Sequence, residues 1–333
     1  MSIINTELVW RKPAEDSDNS SNGGRMTATA ITSGVKNNIF PDVLKAERTA
    51  GVLRYRKRTL HVANSEDLTL VQGRIMVENY TASADSVTIF PATATDTQAA
   101  VTGSEQKYGC GQLDVDANVT DTTIDVLTED AALDYFKSGM TVRISDQATI
   151  DGAGNEQYVV LTSDATYVGD VATLNFTGDP LSFAFTAVNT RVMSVIEAGN
   201  IEGAIASVVV TSSLGTFVHA TTPIVPHNIG GIEQNWTLTF TNSATQVNVT
   251  GDTVGDLGDF SVGTDVSPTN SDFASAFFTL PIAGLGGTFV DGDTITFTQS
   301  PAAYDVWISE NVPAATPSLT GNQFTLAVDG ESA

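Results

Sequence analysis

The stretch FPDVLKAERTAGVLRYRKRTLHV, residues 40–62, carries the clearest local structural signals in the sequence. Asp42 follows a proline, and the good helix formers after it run up to Gly51. Asp is a favoured N-cap residue and Gly commonly ends helices, so the pattern predicts a short helix over residues 42–50. From residue 52 to residue 62 the side chains alternate as they do in a β-strand.

The same stretch concentrates the positive charge of the chain. Six of the fifteen Lys and Arg residues lie between Lys45 and Arg58, whereas the whole chain contains thirty-nine Asp and Glu residues. On the predicted strand, Arg54, Arg56 and Arg58 share one face, with about 6.7 Å between successive side chains. A row of guanidinium groups presents forked donors to carboxylates or phosphates.

Carboxylates are the better match for this row of arginines. Nucleic-acid binding usually combines a basic domain with interleaved aromatic residues, but here only Tyr55 lies nearby and the net charge is −24. The sequence therefore predicts no nucleic-acid partner. It favours an interface with the acidic surface of a neighbouring subunit, and a solvated strand face is the alternative.

Charge is unevenly distributed along the chain. Residues 1–74 carry a net charge of +3, residues 75–191 carry −13, and residues 192–333 carry −14 without a single Lys or Arg. A basic head and an acidic body suit head-to-tail contact between subunits. Ordinary solubility charge is the alternative explanation.

The remainder of the sequence predicts an all-β protein. Thr, Val, Ile and Phe recur in short alternating runs between Gly, Asp and Asn, and no long segment has the apolar spacing of a helix. We expect four regions: an extended N-terminal arm (1–35), an N-terminal β domain with the short helix (36–105), a small β-barrel-like middle domain (106–200) and a C-terminal β-sandwich (201–333).

The arm is polar and lacks periodicity over residues 13–25, which is typical of a flexible or extended segment. Trp10 precedes this segment, and we expect it to anchor the arm in a pocket of another subunit. The predicted subunit-interface residues are Trp10, Arg25, Lys45, Arg48, Arg54, Arg56, Lys57 and Arg58.

Catalytic, cofactor-binding and metal-binding residues are not predicted, and the chain is not expected to be an enzyme. The histidines His61, His219 and His227 have no partners at a metal-ligand spacing, and Cys110 is expected to be a packing residue. Neither a nucleophile elbow nor a phosphate-binding loop is present in the sequence. The N-terminus lacks the features of a secretory signal, and no apolar run is long enough for a membrane span.

Three weaker alternatives rest on specific residues. Asp252, Asp256 and Asp259 could offer oxygens to calcium, although Asp and Gly also favour tight turns. A carbohydrate-binding or adhesin-like module would use the aromatic residues Trp236, Tyr304 and Trp307, which at strand spacing are more often core. A hydrolase would require a pair of carboxylates that meet only in the fold.

Several short stretches together resemble a known group of proteins. They are NGGR (22–25), NNIFPDVLKAERTAG (37–51), YRK (55–57), NWTLTF (235–240), GDTITF (292–297), PAAYDVW (301–307) and the terminal GES (330–332). The chain thereby resembles virion structural proteins of tailed bacteriophages, including Mu-like phages. The resemblance spans nearly the whole chain and implies a mostly β protein present in many copies in the particle. Its motifs are structural and specify no active site, so no catalytic residues carry over.

The resemblance and the charge pattern lead to one expected function. The chain is expected to be a structural component of the virion, assembled in the host cytoplasm as a symmetric oligomer, with the neck or tail favoured over capsid decoration. Its expected partners are copies of itself and other virion proteins, without a membrane. A host-surface glycan is the partner that the adhesin-like alternative requires.

Overall fold

The computed structural model describes residues 2–333, and β-strands dominate all parts of it. The first part contains β1 Leu8–Glu15, β2 Gly23–Ala30, α1 Lys45–Ala50, β3 Val52–Val62, β4 Leu70–Asn79 and β5 Ser86–Pro91. The middle part contains β6 Cys110–Leu113, β7 Thr123–Leu127, β8 Thr141–Ser145, β9 Glu156–Val160, β10 Thr166–Val168, β11 Val171–Asn175 and β12 Arg191–Ser194.

The last part contains fourteen strands, several of them very short. They are β13 Ile196–Ile201, β14 Ala204–Thr211, β15 Gly215–Phe217, β16 Val225–Pro226, β17 Gln234–Thr241, β18 Gln246–Gly251, β19 Gly255–Ser261, β20 Thr269–Asn270, β21 Ser275–Ala276, β22 Phe278–Thr279, β23 Leu285–Gly287, β24 Thr294–Ser300, β25 Ala303–Val312 and β26 Thr325–Ser332. Short 3₁₀ turns occur at Asn5–Glu7, Gln98–Ala100, Ala131–Leu133 and Ile282–Gly284.

The first sheet is built from both ends of the chain. Its strand order is β2-β1-β3-β25-β5, and all of its neighbouring strands are antiparallel. Because β25 lies between β3 and β5, Trp307 is opposite Lys57 on one side and Phe90 on the other. The C-terminal part of the chain therefore completes the N-terminal sheet.

A second, three-stranded sheet with the order β13-β4-β26 packs against this first sheet. One hydrophobic core contains Leu60 and Ile308 of the first sheet together with Ile75 and Ala327 of the second. Residues from the beginning, the middle and the end of the sequence thus share one core, whose burial stabilises all of them together.

The middle region forms one open sheet with the order β10-β11-β7-β6-β12-β8-β9. The expected barrel-like domain is corrected here, because no sheet within residues 2–333 is closed into a barrel. Closure requires the two end strands to pair along a staggered edge, and β10 is only three residues long. Between β7 and β8 the chain forms the 3₁₀ turn Ala131–Leu133, which Asp130 caps.

The C-terminal region contains a five-stranded sheet with the order β14-β24-β17-β18-β19, accompanied by the two-stranded ladders β15-β23, β16-β22 and β20-β21. Along β17 the side chains of Trp236, Leu238 and Phe240 are buried, and the residues between them are more exposed. This alternation is the period of a strand with one face on a core. Phe278 and Ile295 belong to the same core.

The all-β class is confirmed, and β3 has the bounds predicted from the sequence. The helix is shorter than predicted, since Asp42 does not cap it and instead forms an ion pair with Lys36 at 2.8 Å. The Leu44 amide donates to the Glu47 side chain at 2.6 Å, which fixes the first turn. Gly51 ends the helix with φ 81°, a conformation that favours glycine.

The N-terminal segment is not a free arm. Strands β1 and β2 form a hairpin, and β1 pairs with β3 so that Trp10 lies opposite Leu60. The polar composition of residues 13–25 is misleading because two of its acids, Asp16 and Asp18, form ion pairs with arginines of β3. Charge pairing within the chain thus replaces the solvation that the sequence suggested.

The last two strands are predicted correctly but lie elsewhere than expected. Residues 303–332 were expected in the C-terminal sandwich, yet β25 pairs with β3 and β5, and β26 pairs with β4. Strand periodicity identifies a strand but not its neighbours, because pairing partners are set by long-range packing.

Candidate functional site

The most distinctive feature of the structure is the charged layer of β3, and the N-terminal hairpin covers it. Arg58 Nη1 lies 2.9 Å from Asp16 Oδ1, and Arg56 Nη1 lies 2.6 Å from Asp18 Oδ1. Arg56 Nε also approaches Asp16 Oδ1 at 3.5 Å. Burial alone would raise the pKa of Asp16, but the charges of Arg58 and Lys12 outweigh burial and lower that pKa. The hairpin turn is thus fastened to β3 by charge.

A second ion pair joins β3 to β25. Arg54 lies opposite Glu310 in the antiparallel register, and its Nε donates to Glu310 Oε2 at 2.7 Å. Both side chains are buried. Burial raises the pKa of Glu310 despite the opposing charge of Arg54. The guanidinium groups of Arg54 and Arg56 also lie 5.4 Å and 5.6 Å from the ring centre of Phe40, within cation–π range.

The opposite face of β3 carries the fourth cation, Lys57, whose side chain is 0% exposed. Its ammonium donates to the carbonyl oxygens of Gly24 at 2.9 Å and Thr93 at 2.5 Å. The Nζ atom lies 2.8 Å from Oδ1 of Asp96. The other carboxylate oxygen of Asp96 accepts a hydrogen bond from Trp307 Nε1 at 3.0 Å.

These positions correct the expected placement of Arg54, Arg56, Lys57 and Arg58. All four residues are buried, and each forms an ion pair with a carboxylate of its own chain. The structure thus confirms neither an exposed ridge nor a solvated strand face. A contact with another subunit through these residues stays a prediction, and it would require these pairs to open first.

Two further predicted interface residues make contacts within their own chain. Trp10 is half-buried and packs against the core shared by the first two sheets. Arg25 Nη2 forms an ion pair with Asp252 Oδ2 at 2.9 Å, which connects β2 to the turn after β18. Asp252 also accepts hydrogen bonds from Asn235, as a turn residue does.

The remaining two predicted residues, Lys45 and Arg48, lie on α1 and differ from the others. Lys45 is exposed and Arg48 is half-buried, and neither forms an ion pair with any of residues 2–333. Leu44 next to them is 64% exposed. We call Leu44, Lys45 and Arg48 the α1 patch. It combines unpaired positive charge with an exposed apolar side chain.

His61 links the first sheet to the C-terminal region. Its Nε2 lies 2.6 Å from the carbonyl oxygen of Asn228, and its Nδ1 lies 2.7 Å from Arg11 Nε. Since a carbonyl can only accept and Arg Nε can only donate, the proton resides on Nε2 and the imidazole is neutral. Burial lowers the pKa of His61 to about 4, against the effect of the Asn228 carbonyl and with the support of the Arg11 charge.

We expect this histidine to make the protein less stable in mild acid. The unfolded chain binds a proton near pH 6.5 and the folded chain near pH 4, so stability falls as the pH decreases through this interval. The shift corresponds to about 3 kcal/mol. Urea unfolding at a series of pH values should show the loss for the wild type and a smaller loss for His61→Gln. Parallel pH profiles of the two proteins would contradict this account.

The two remaining histidines and the single cysteine make contacts within the chain. His227 contacts Asp67 Oδ2 at 2.8 Å and Thr279 Oγ1 at 2.9 Å, and the Nδ1 of His219 accepts from the Ile224 amide at 3.1 Å. Cys110 is fully buried, and burial raises the pKa of its thiol. Within residues 2–333 no group of three or more His, Cys, Asp and Glu residues is arranged to hold a metal ion.

The aromatic residues offered for glycan binding are mostly interior. Trp236 and Trp307 are buried, and Trp236 Nε1 donates to Gln299 Oε1 at 2.9 Å. Tyr304 is half-buried and lines a cleft of about 460 Å³ together with Tyr108. Of the three aromatic residues named, only Tyr304 therefore faces a space where a ligand could enter.

The acidic partners of β3 are far from it in the sequence and could not be predicted. Glu310 is separated from Arg54 by 256 residues, and Asp16 is separated from Arg58 by 42 residues. Asp96 lies in a stretch with few large side chains, PATATDTQAAVTGSE (91–105), which carries no strand pattern. The sequence feature that could have indicated these pairs is the acidic content of residues 15–18, which complements the basic strand β3.

Comparisons with protein-family models, with curated proteins and with solved structures found no match. Among residues 2–333, no helix has both the length and the apolar character that crossing a membrane requires.

Proposed function

We propose that this chain is a structural subunit of a tailed-phage virion, which assembles as a symmetric oligomer. The observation that carries the proposal is the separation of charge on the folded chain. Most cations of residues 1–74 have partners within the chain, which leaves the α1 patch with unpaired positive charge. Residues 192–333 carry fourteen acids and no Lys or Arg. An α1 patch on one subunit and an acidic C-terminal region on the next form complementary surfaces for head-to-tail contact.

The resemblance to virion proteins supports a place in the particle and only slightly favours one position. We place the oligomer at the neck or tail, with capsid decoration as the alternative, and its partners are copies of itself and other virion proteins. In this arrangement residues 204–300 form an outward-facing β-sandwich. The edge-to-face contact of Trp236 with Phe278, at 5.1 Å between ring centres, supports such packing of the five-stranded sheet on the short ladders.

Immunogold electron microscopy of purified virions tests this function. An antibody against residues 204–300 should label the neck or tail, and label on the head surface would move the subunit to the capsid. If intact and disrupted particles both stay unlabelled while infected cells contain the protein, the virion role is wrong. The adhesin-like alternative would then be examined on a glycan array, because Tyr108 and Tyr304 line a cleft that could admit a sugar.

Charge reversal on α1 should weaken assembly. We expect Lys45→Glu/Arg48→Glu to raise the dissociation constant of the oligomer about tenfold at low salt, because two attractive contacts become repulsive. Sedimentation velocity across a salt series measures this change, and the difference from the wild type should shrink as salt screens the charges.

The control is Lys107→Glu/Lys137→Glu, which changes the net charge equally at half-exposed positions outside the α1 patch. Lys137 pairs with Asp134 and Asp164, so the fold of this variant is checked by circular dichroism first. This control should assemble nearly as the wild type does. Equal weakening in both variants would show that only net charge matters and would contradict a specific role for the α1 patch.

A further inference from the structure

Lys57 is a fully buried amine and not an ordinary surface lysine. Its side chain is completely buried, and its Nζ atom is enclosed by the carbonyl oxygens of Gly24, Thr93 and Asp96, at 2.9, 2.5 and 3.5 Å. Gly23 makes room for this enclosure, since a Cβ atom there would lie 2.6 Å from the Asp96 carbonyl oxygen and 3.1 Å from Trp307. Water has little access to the amine.

One oxygen of the Asp96 carboxyl group accepts hydrogen bonds, and the other oxygen faces the Lys57 amine. Its Oδ2 accepts from Trp307 Nε1 at 3.0 Å and from the Thr93 amide at 3.3 Å. Its Oδ1 lies 2.8 Å from Lys57 Nζ, yet this oxygen is buried without a hydrogen-bond partner. The approach is therefore close but not aligned as a hydrogen bond. One C–O bond further, the carboxyl carbon lies within about 4 Å of Nζ, and reacting atoms must approach to about 3 to 3.5 Å. A small movement of the Lys57 side chain would close this difference.

We propose that Lys57 and Asp96 condense within the folded chain to form an isopeptide bond. A proton passes from the ammonium to the carboxylate, which gives a neutral amine and a neutral acid. The Nζ lone pair then attacks Cγ, the new Nζ–Cγ bond forms, and the Cγ–Oδ1 bond breaks with release of one water molecule. The step requires no oxidant, reductant or other co-reactant. It replaces a buried ion pair, whose desolvation is costly, by a neutral amide.

The surroundings match the charges that develop during this step. In the tetrahedral intermediate the negative charge falls on Oδ2, where Trp307 Nε1 and the Thr93 amide already donate hydrogen bonds. Asp305 lies two residues before Trp307 on the same face of β25, diagonally opposite Lys57. We assign Asp305 the proton transfers between Nζ and the departing oxygen. Burial raises the pKa of Asp305 to about 6, although Lys57 and Thr59 oppose the shift.

The bond would join β3 to the loop after β5, on either side of β25 in the sheet. It would close a covalent ring that contains β3, β4 and β5, so that the unfolded chain has less conformational freedom to gain. This inference does not depend on the proposed virion function, since the reacting groups and their surroundings belong to one chain.

The intact mass of the purified full chain tests the inference. We expect the folded wild-type protein to be lighter than its sequence by one water molecule. After trypsin digestion the dipeptide Lys57-Arg58 should be found attached to the peptide of residues 75–107, because an acylated lysine resists cleavage. Full mass in protein that has been kept folded over a range of pH would overturn the proposal.

Two variants distinguish the isopeptide bond from other reactions that release water. Lys57→Arg keeps the positive charge and Asp96→Ala removes the carboxyl, so both should retain full mass. A loss of water that persists in Lys57→Arg would identify succinimide formation at an aspartate and would overturn the isopeptide. If a variant does not fold, the wild-type peptide map decides alone, since it locates the linkage.

Asp305→Asn tests the proton-transfer role. It should fold and yet accumulate the linked peptide at least tenfold more slowly. Linkage at the wild-type rate would overturn the role assigned to Asp305.

Discussion

Arg54→Met is expected to lower the free energy of unfolding by about 3 kcal/mol, because it leaves a buried charge without its partner. Glu310 is buried opposite Arg54, and burial already raises the pKa of its carboxyl group. Without Arg54 this group must lose its charge or draw water into the sheet, and both are costly. Urea unfolding at neutral pH measures the difference.

The matched control removes both charges. Arg54→Met/Glu310→Leu should recover most of the lost stability, because replacing a buried ion pair by apolar groups of similar size is often neutral. If the double variant is as unstable as Arg54→Met, the loss comes from packing around Phe40 and not from an uncompensated charge.

The second large effect is expected at Trp307, which is buried on β25, an interior strand of the first sheet. Trp307→Ala should cost about 4 kcal/mol through the cavity it leaves. It also removes the hydrogen bond from Nε1 to Asp96. Although Trp307 is near the C-terminus, hydrogen exchange should become faster in the N-terminal strands β1, β2 and β3, because β25 completes their sheet.

Trp236→Ala is the control for this prediction. Trp236 is equally buried but belongs to the core of the C-terminal region. Its removal should cost a similar free energy and accelerate exchange in β17, β18 and β24 instead. Faster exchange of β1 to β3 in both variants would mean that the two regions unfold as one unit, and the separate-core account would fail.

Local signals in the sequence were reliable where the backbone pattern alone decides the outcome. The strand over residues 52–62 has the predicted bounds, and its alternation places Arg54, Arg56 and Arg58 on one face. Arg54 and Arg56 both lie near the Phe40 ring, and Arg56 and Arg58 both lie near Asp16. Alternation of side chains is a property of the strand itself, so it can be predicted without knowing the fold.

The partners of that strand could not be predicted from local pattern. An acidic turn that pairs with buried arginines has the same composition as a solvated arm, and residues 13–25 were interpreted in that way. Likewise β25 has the period of a strand, but its position between β3 and β5 depends on contacts across more than two hundred residues. Such long-range pairing is set by packing in the whole core.

The positive charges of residues 45–58 therefore lie in two different environments. On β3 the positive charge neutralises acids of the same chain in the interior, and on α1 it is at least partly exposed and unpaired within residues 2–333. The ion pairs of β3 explain how an acidic hairpin turn and the acidic strand β25 join one sheet. The α1 patch provides the surface on which the proposed assembly depends.

The most direct test of this division compares the urea unfolding of two variants that each remove two positive charges. Arg56→Gln/Arg58→Gln should lower the free energy of unfolding by about 3 kcal/mol or more, because Asp16 loses both of its buried partners. Lys45→Gln/Arg48→Gln should leave the unfolding midpoint unchanged, because these side chains have no acidic partner among residues 2–333. Equal midpoints for the two variants, or a larger loss for the α1 variant, would contradict the assignment of the β3 cations to the interior.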